Sequence, residues 1–593
     1  MGFDYALVHL KYTIPPAIAL TLLYRPLFAR IDLYKIAFLV TIAVVSTIPW
    51  DSYLIRRKIW TYPPSVIIGP RLFSIPAEEV FFFIIQTYNT TLLYLILSKP
   101  VFHASYLISS RERQRRIEVT HRIGQIIIAT CVGLGAALIW RGGEGTYLGL
   151  ILAWAGPFAL LLWTLSSQFL ITLPIMSTWA PIVIPTLYLW IVDTIALRRG
   201  TWTIESGTKL GIHVWEGLEI EEAIFFLATN ILIVFGQVAF DHALAILLAF
   251  PSIFLQVPEL PSPVKLVQAL LLSREKYDEQ RIYGMNQAVS RLQKKSRSFY
   301  LASSTFSGRL RLDLTLLYSF CRVADDLIDD AETEEVSRDW IKKLTQYLDI
   351  AYASDEARIK SKQPDLQTYI AENFPSSAQS ALRLLPTHLL PYGPLYDLLE
   401  GFKTDLSFLH KSTTSKTNNF PISTFPDLEK YAAQVAGTVA ELILELVFHH
   451  SPETTKAHRA HLVSAGGRMG IALQYVNIAR DIATDAKIGR VYIPTDWLKE
   501  EDLTPQHVLN NPKSEKVERL RQRLLDEAFR VYEKAKGPMA KLPSNARAPM
   551  RVAVECYMEI GRVLRGKGYV VKRGRATVPI LRRLRVAWGA LGE

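Results

Sequence analysis

Long apolar runs gathered at one end restrict the fold of this 593-residue chain more than any other feature. They recur near residues 5–24, 33–50, 79–97, 122–140, 146–164, 171–192 and 222–241. Each approaches the roughly 20 residues that cross a bilayer as a helix. Inside lipid the backbone must satisfy its own hydrogen bonds, so such runs have to be helices packed on one another. A further run, Ala243–Val257, is shorter and contains Pro251, which reads as an interfacial segment. From about residue 258 the sequence turns mixed and charge-rich. The expectation is an all-α chain: a seven-helix transmembrane domain over 1–245, a linker over 246–274, and a soluble all-helical domain over 275–593.

The averages, 50% hydrophobic and 21% charged, conceal these two halves. A net charge of +12 could suggest nucleic acid, but no basic stripe with interleaved aromatics accompanies it. Solvated lysines and arginines, some beside a membrane surface, account for it instead. Cys131, Cys321 and Cys556 stand far apart in an odd set with no CxxC pair, which excludes a disulfide framework and fits a reducing compartment. The N-terminus MGFDYALVHLKYTI lacks the basic flank and cleavage site of a secretory signal, so the first apolar segment is expected to stay in the protein.

The apolar half contains an internal repeat. Asp51, Arg56, Arg57 and Trp60 of DSYLIRRKIW return at identical offsets as Asp193, Arg198, Arg199 and Trp202 of DTIALRRGTW. IPAEEVFFF returns as LEIEEAIFF, so Glu78 and Glu79 correspond to Glu221 and Glu222. Two repeats, about 5–97 and 146–241, of three spans each and one linking span make seven, and both repeats enter the membrane in the same direction. The positive-inside rule puts the Arg-rich loop Arg111–Arg122 in the cytosol, and with it the soluble half. Arg56, Arg57, Lys58, Arg198 and Arg199 then fall on the far side. Either the topology is off by one span, or these cations serve a site.

Carboxylates at the mouth of apolar helices are costly. Glu78, Glu79, Glu221 and Glu222 could cap helix N-termini, where the dipole is positive. Repetition of the whole Asp–Arg–Arg–Trp–Glu–Glu set favours a site at the repeat interface, and a transporter would place charges there too. These segments resemble the lycopene cyclases built of two related membrane halves, here fused, over roughly 1–245. The PAEE and EIEE elements match that family's Pro-x-Glu-Glu pattern, with Glu219 where proline is usual. The resemblance implies acid–base isomerisation of lycopene by Glu78, Glu79, Glu221, Glu222, Asp51 and Asp193. One carboxyl protonates the terminal double bond, the cation closes a ring, and a base removes a ring proton. An arginine beside one carboxylate would keep it ionised while burial keeps another protonated. Trp60, Trp202, Phe81–Phe83 and Phe225–Phe226 could shelter the cation or simply pack in lipid. No redox change is involved, so neither flavin nor nicotinamide is expected. The string GLGAAL (Gly133–Leu138) lacks a third glycine and sits in an apolar span, which reads as helix packing.

The charged half reads as helix after helix, for example Met285–Ser303, Leu310–Asp330, Tyr431–His449, His461–Thr484 and Lys516–Lys536, with loops near 352–380 and 408–425. Two acidic clusters stand out. YSFCRVADDLIDD supplies Asp325, Asp326, Asp329 and Asp330, and a four-residue step puts Asp325 and Asp329 on one helical face. Gln474, Asn477, Asp481 and Asp485 step by three, four and four and share another face. Two such faces across a cavity would repel unless cations lie between them. Mg²⁺ prefers oxygen ligands and bridges to phosphate oxygens, so the pattern points to a diphosphate clamp rather than two solvated faces.

These residues resemble the squalene and phytoene synthase family over roughly 275–593. KKSRSFYLAS (Lys294–Ser303), EGFKTDL (Glu400–Leu406), YAAQVAGTVA (Tyr431–Ala440) and Gly489–Pro494 match its helices and tail. Where the family has YCYxVAG, this chain has YAAQVAG. The resemblance implies an isoprenoid synthase fold that joins two geranylgeranyl diphosphates head to head to phytoene. The metal, Mg²⁺ or Mn²⁺, would be held by Asp325, Asp326, Asp329, Asn477, Asp481 and Asp485, and Asp325, Asp329, Asp481 and Asp485 would be catalytic. Arg297, Tyr318, Arg322, Gln474, Asn477 and Arg480 would bind substrate, with Gly437 giving close approach to an apolar tail. Partners implied are geranylgeranyl diphosphate, lycopene, the lipid bilayer and other carotenoid enzymes. Squalene formation would need a nicotinamide, for which no fingerprint is present. Alternatives left open are a head-to-tail prenyl synthase, which would repeat DDxxD in the second cluster, and a membrane half that transports or merely anchors.

Overall fold

The computed structural model describes residues 2–108, 111–353, 365–408, 420–451, 456–566 and 578–592. It divides into two compact units, Met1–Ile282 and Tyr283–Glu593. Both are helical. The described strands are three short ribbons of two strands each, all in the first unit.

In the first unit seven helices have the length and apolarity of membrane spans: α1 (Asp4–Leu27), α2 (Arg30–Arg56), α3 (Ala77–Ser98), α4 (Arg113–Arg141), α5 (Gly143–Thr172), α6 (Ala180–Arg198) and α7 (Ile220–Ala249). The expected spans are recovered with three corrections. The stretch 171–192 is not one helix, because Pro174 follows the end of α5 and a short turn at Ile175–Thr178 precedes α6. The Arg-rich segment is not a loop: it forms the first turns of α4, where Gln114 Nε2 donates to Glu118 Oε1 across one turn (3.2 Å). The run after Ala243 does not lie in an interface. Its first part continues α7, with Ala243, Ile246, Leu247 and Ala249 fully buried. The helix Pro263–Leu270 (α8) packs back on α7 through its buried Leu266 and Ala269, so most of the expected linker belongs to this unit.

The sequence repeat appears as a pseudo-two-fold arrangement of α1–α3 and α5–α7. After α2 comes β1 (Trp60–Thr61), with β2 (Arg71–Leu72) and β3 (Ile75–Pro76) pairing before α3. After α6 comes β4 (Thr203–Ile204), with β5 (His213–Trp215) and β6 (Leu218–Glu219) pairing before α7. Strand β1 pairs antiparallel with β4, and Thr61 faces Thr203. Each threonine follows its repeat's tryptophan, so equivalent residues meet on the axis. Lower down, Gln86 Nε2 donates to Thr229 Oγ1 (2.8 Å), and each stands seven residues beyond its repeat's second glutamate. Thr90 donates to Asn230 (2.7 Å) and Gln237 to Thr91 (3.1 Å) between α3 and α7, the polar contacts that hold helices together where apolar burial gives no drive. The buried Lys35 pairs with Asp241, which also accepts from Tyr94 (2.8 Å), so those membrane-embedded charges are matched.

In the second unit α9 (Gly308–Asp329), α10 (Gly393–Ser407), α11 (Thr438–His449), α12 (Lys456–Asp485), α13 (Glu515–Met539) and α14 (Ser544–Leu564) surround one cavity. Helix α9 buries Leu310, Leu317, Phe320, Ala324 and Ile328, spaced by seven, three, four and four, and turns its carboxylates the other way. The expected loop 352–380 contains two short helices, Leu366–Asn373 and Ser376–Leu384, that bury Ile370, Ala378 and Leu382. Residues 354–364 and 409–419 of the two expected inserts lie outside the described residues. Phe425–His449 is also apolar enough for a membrane span. Its apolarity has another cause here: Val435, Ala436, Val439, Ala440 and Ile443 line the cavity.

Candidate active sites

In the first unit six carboxyls, three from each repeat, stand at the helix ends next to the hairpins. Asp51 and Asp193 sit near the ends of α2 and α6, and the glutamate pairs occupy the first turns of α3 and α7. The structure separates the two members of each pair. Glu78 Oε1 accepts from the Ile68 backbone N–H (2.6 Å) and Glu221 Oε1 from Leu210 N–H (2.7 Å), so both tie down the loop that enters their helix. Glu79 and Glu222 instead line a small cavity of ≈ 30 Å³ together with Asp193, Trp60, Trp202, Phe82, Phe225 and Phe226. Glu79 accepts hydrogen bonds from Tyr5 and from Tyr62 (2.7 Å), and Glu222 from Tyr147 (2.5 Å). Asp193 accepts from Trp202 Nε1 (3.1 Å), whereas both oxygens of the fully buried Asp51 lack a hydrogen-bond partner.

The arginine expected beside a carboxylate is absent among the described residues. Arg56, Arg57, Arg198 and Arg199 are exposed at the ends of their helices, and Arg198 donates to the Glu216 carbonyl (2.8 Å). Phenols and an indole, not cations, dress the carboxyls. Phe81 and Phe83 stay outside the cavity lining. Sequence reading missed Tyr5, Tyr62 and Tyr147, although one signal was present: Tyr5 and Tyr147 are separated by the same interval as Asp51 and Asp193.

In the second unit Asp325 and Asp329 of α9 face Asp481 and Asp485 of α12 across a cavity of ≈ 490 Å³. Gln474, Asn477, Tyr318 and Arg322 share its lining. Asp326, Arg297 and Arg480 do not line it. Asp326 is held by Arg322 (2.5 Å) and Lys295 (3.1 Å), and Arg297 is exposed. Arg480 lies outside the cavity lining, where it grips Asp481 (Nε to Oδ1, 2.9 Å) and Asn477. Gly437 does not line this cavity; a Cβ there would come within 3.3 Å of the Gly467 carbonyl of α12.

Three residues had not been singled out, the first two of them within matched segments. Asp405 of α10 lines the cavity and accepts from Tyr431 (2.9 Å) and Tyr492 (2.6 Å). Arg490 donates to Asp329 Oδ1 (2.8 Å), linking the far cluster to the near one. Tyr557 of α14 donates to Asn477 Oδ1 (3.0 Å) and stacks on Phe299 at 5.4 Å. The Asp405 position carries no spacing signal of its own.

Burial pushes the Asp325 carboxyl up to about 7, helped by Asp329, and Asp485 up to about 8, helped by Asp481. Burial likewise raises Asp405 to about 6. Arg322 beside Asp325 (2.8 Å) and Arg490 beside Asp329 (2.8 Å) offset this only in part. Among the described residues no three His, Cys, Asp or Glu side chains are close enough to hold a metal alone. An all-oxygen set that leaves coordination positions open is what a hard divalent cation shared with phosphate and water requires, so the residues present fit such an ion. Past the carboxylates the cavity is walled by apolar side chains, among them Phe306, Leu398, Leu473 and Met550.

The squalene/phytoene synthase family model matches residues 292–582. Members of that family use divalent metal ions. The bifunctional lycopene cyclase/phytoene synthase of Leptosphaeria maculans is 59% identical over 593 residues, covering 100% of both chains. That of Neurospora crassa is 50% identical over 602 residues, again covering 100% of both. A solved dehydrosqualene synthase in complex with ligand is similar at 22% identity and a TM-score of 0.41, over 52% of this chain and 96% of its own. Full-length identity at this level decides the family: the chain belongs to the bifunctional lycopene cyclase/phytoene synthases.

Proposed function

We infer that the second unit condenses two geranylgeranyl diphosphates head to head to phytoene, and that the first unit closes rings on lycopene by acid–base chemistry. The synthase reading is carried by the two carboxylate faces on opposite walls of one amphipathic cavity. Asp325, Asp329, Asp481 and Asp485, with Asn477, would hold Mg²⁺, which when bound neutralises the departing diphosphate. Arg322 and Arg490 add fixed positive charge at the same mouth. The apolar walls hold the prenyl chains and exclude water, so an allylic cation meets the double bond of the second substrate before it meets solvent. Tyr318, Phe299 and Tyr557 present ring faces and edges to that cation. Tyr431 and Tyr492 fix Asp405, which supports the metal face from α10.

In the first unit Glu79, Glu222 and Asp193 share one cavity lined by tryptophan and phenylalanine. One carboxyl gives a proton to the terminal double bond, the cation closes the ring beside the aromatic walls, and another carboxylate removes the ring proton. The phenols of Tyr5, Tyr62 and Tyr147 hold the two glutamates in place. The second unit would face the cytosol, on the side of the Arg-rich start of α4, where water-soluble diphosphates are supplied.

The test uses the full chain in membranes supplied with geranylgeranyl diphosphate or with lycopene. Asp325→Ala and Asp481→Ala should abolish phytoene formation and leave ring closure intact. Glu79→Gln and Glu222→Gln should do the converse. Loss of both activities from any one of these changes overturns the two-site reading, and full cyclisation by both glutamine variants overturns the carboxylate assignment.

A further inference from the structure

The cyclase repeats are alike in sequence, yet the spaces beside their carboxyls differ. Each repeat has a buried residue immediately before its aspartate: Trp50 before Asp51, and Val192 before Asp193. On one side of the axis Val192 lines the cavity next to Tyr5, Tyr62, Trp202 and Glu79. On the other, Trp50 occupies the matching place. Its ring stacks on Phe225 at 5.5 Å and on Trp154 at 4.8 Å, and its Nε1 donates to the Leu150 carbonyl (3.3 Å). Neither Trp50 nor Trp154 nor Asp51 touches the cavity.

The hydrogen bonding is unequal in the same sense. On the Val192 side Glu79 accepts from two phenols, and Asp193 from Trp202. On the Trp50 side Glu222 accepts from a single phenol, Tyr147, because Ile204 stands where the first repeat has Tyr62. Close-packed aromatic stacks do not yield space without a cost of about 1–3 kcal/mol. A valine in the same position leaves a void that a hydrocarbon end can widen.

Resting on the acid–base reading above, we propose that ring closure takes place on one side of the pseudo-two-fold axis only, at the half-site of Glu79 and Asp193. The residue before each repeat aspartate sets that sidedness: Val192 admits the chain end and Trp50 excludes it. Glu222 reaches the same cavity from across the axis, whereas Asp51 is left outside it.

The experiment compares Val192→Trp, Val192→Phe and Trp50→Val in the full chain, in membranes given lycopene, scoring cyclic products by chromatography. Thermal unfolding of the detergent-solubilised proteins serves as the check on folding. Val192→Trp should lower cyclisation about tenfold or more by displacing the chain end. Val192→Phe should fall between that and the parent, and Trp50→Val should stay within about threefold of the parent because the working half-site is intact. Equal losses at positions 50 and 192 overturn the proposal, and so does unchanged cyclisation by the Val192 series. Should Val192→Trp fail to fold, the Phe variant decides by the same criterion. Glu79→Gln is run alongside: if it blocks cyclisation while the Val192 variants do not, sidedness alone fails. If Glu79→Gln and Glu222→Gln both cyclise fully, the underlying acid–base reading fails instead.

Discussion

At the scale of single residues the synthase site is a problem of buried carboxyls whose burial outweighs the arginines beside them. Burial holds protons on Asp325, Asp405 and Asp485 up to about 7, 6 and 8. An unfolded aspartate releases its proton near pH 4. Between those values the folded chain binds more protons than the unfolded one, so stability falls as pH rises through that window. Thermal unfolding in a chelator should therefore show a midpoint that drops from about pH 5 to about pH 8. Mg²⁺ should restore more at the alkaline end, where the carboxylates are free to bind it. An equal gain at both ends would contradict the assignment. Asp405→Ala leaves the hydroxyls of Tyr431 and Tyr492 without their acceptor, an expected loss of about 1–3 kcal/mol by denaturant titration, with phytoene formation reduced and cyclisation unchanged.

At the scale of elements, two glycines fix how the clusters meet. Gly470 lets α12 run against the π-turn at Ala433–Gly437, since a Cβ there would lie 2.4 Å from the Ala436 carbonyl. Gly470→Ala must push backbone apart, with an expected cost of about 1–3 kcal/mol and a wider gap between the cavity walls. Gly489 has φ +80°, a conformation that reverses the chain after Asp485 and brings Arg490 back to Asp329. Nothing lies near a Cβ at that position, so Gly489→Ala tests the backbone alone: about 1–2 kcal/mol of strain. A displaced Arg490 should appear as a higher KM for the diphosphate substrate with little change in cyclisation.

At the scale of the whole molecule, the two compact units predict separable activities. Residues 1–282 should insert and cyclise lycopene alone, because α8 completes the burial of α7. A fragment ending at residue 245 cuts inside α7 and removes the fully buried Ile246, Leu247 and Ala249. It should accumulate less and cyclise less, which expression in lycopene-accumulating cells would measure. Equal performance of both fragments would show that the 246–282 segment is dispensable.

Much of this protein was legible in its sequence. Apolar run length required membrane helices, since only helices satisfy the backbone in lipid. A step of four placed Asp325 with Asp329, and Asp481 with Asp485, on single faces. The repeat made Asp51 equivalent to Asp193 and Glu79 to Glu222. Local periodicity cannot report which of two adjacent glutamates faces a cavity, nor which residues from distant segments supply their hydrogen bonds. Tertiary packing decided that Glu78 and Glu221 hold loops while Glu79 and Glu222 meet phenols, and that the arginines of the repeat point to solvent. It also decided that Asp405 and Arg490 join the two aspartate clusters at one cavity, and that Trp50 stacks on Phe225 while its counterpart Val192 lines a cavity. The physical reason is common to all four. Spacing along one helix fixes direction only relative to that helix, whereas burial, partners and free volume depend on what other segments bring against it.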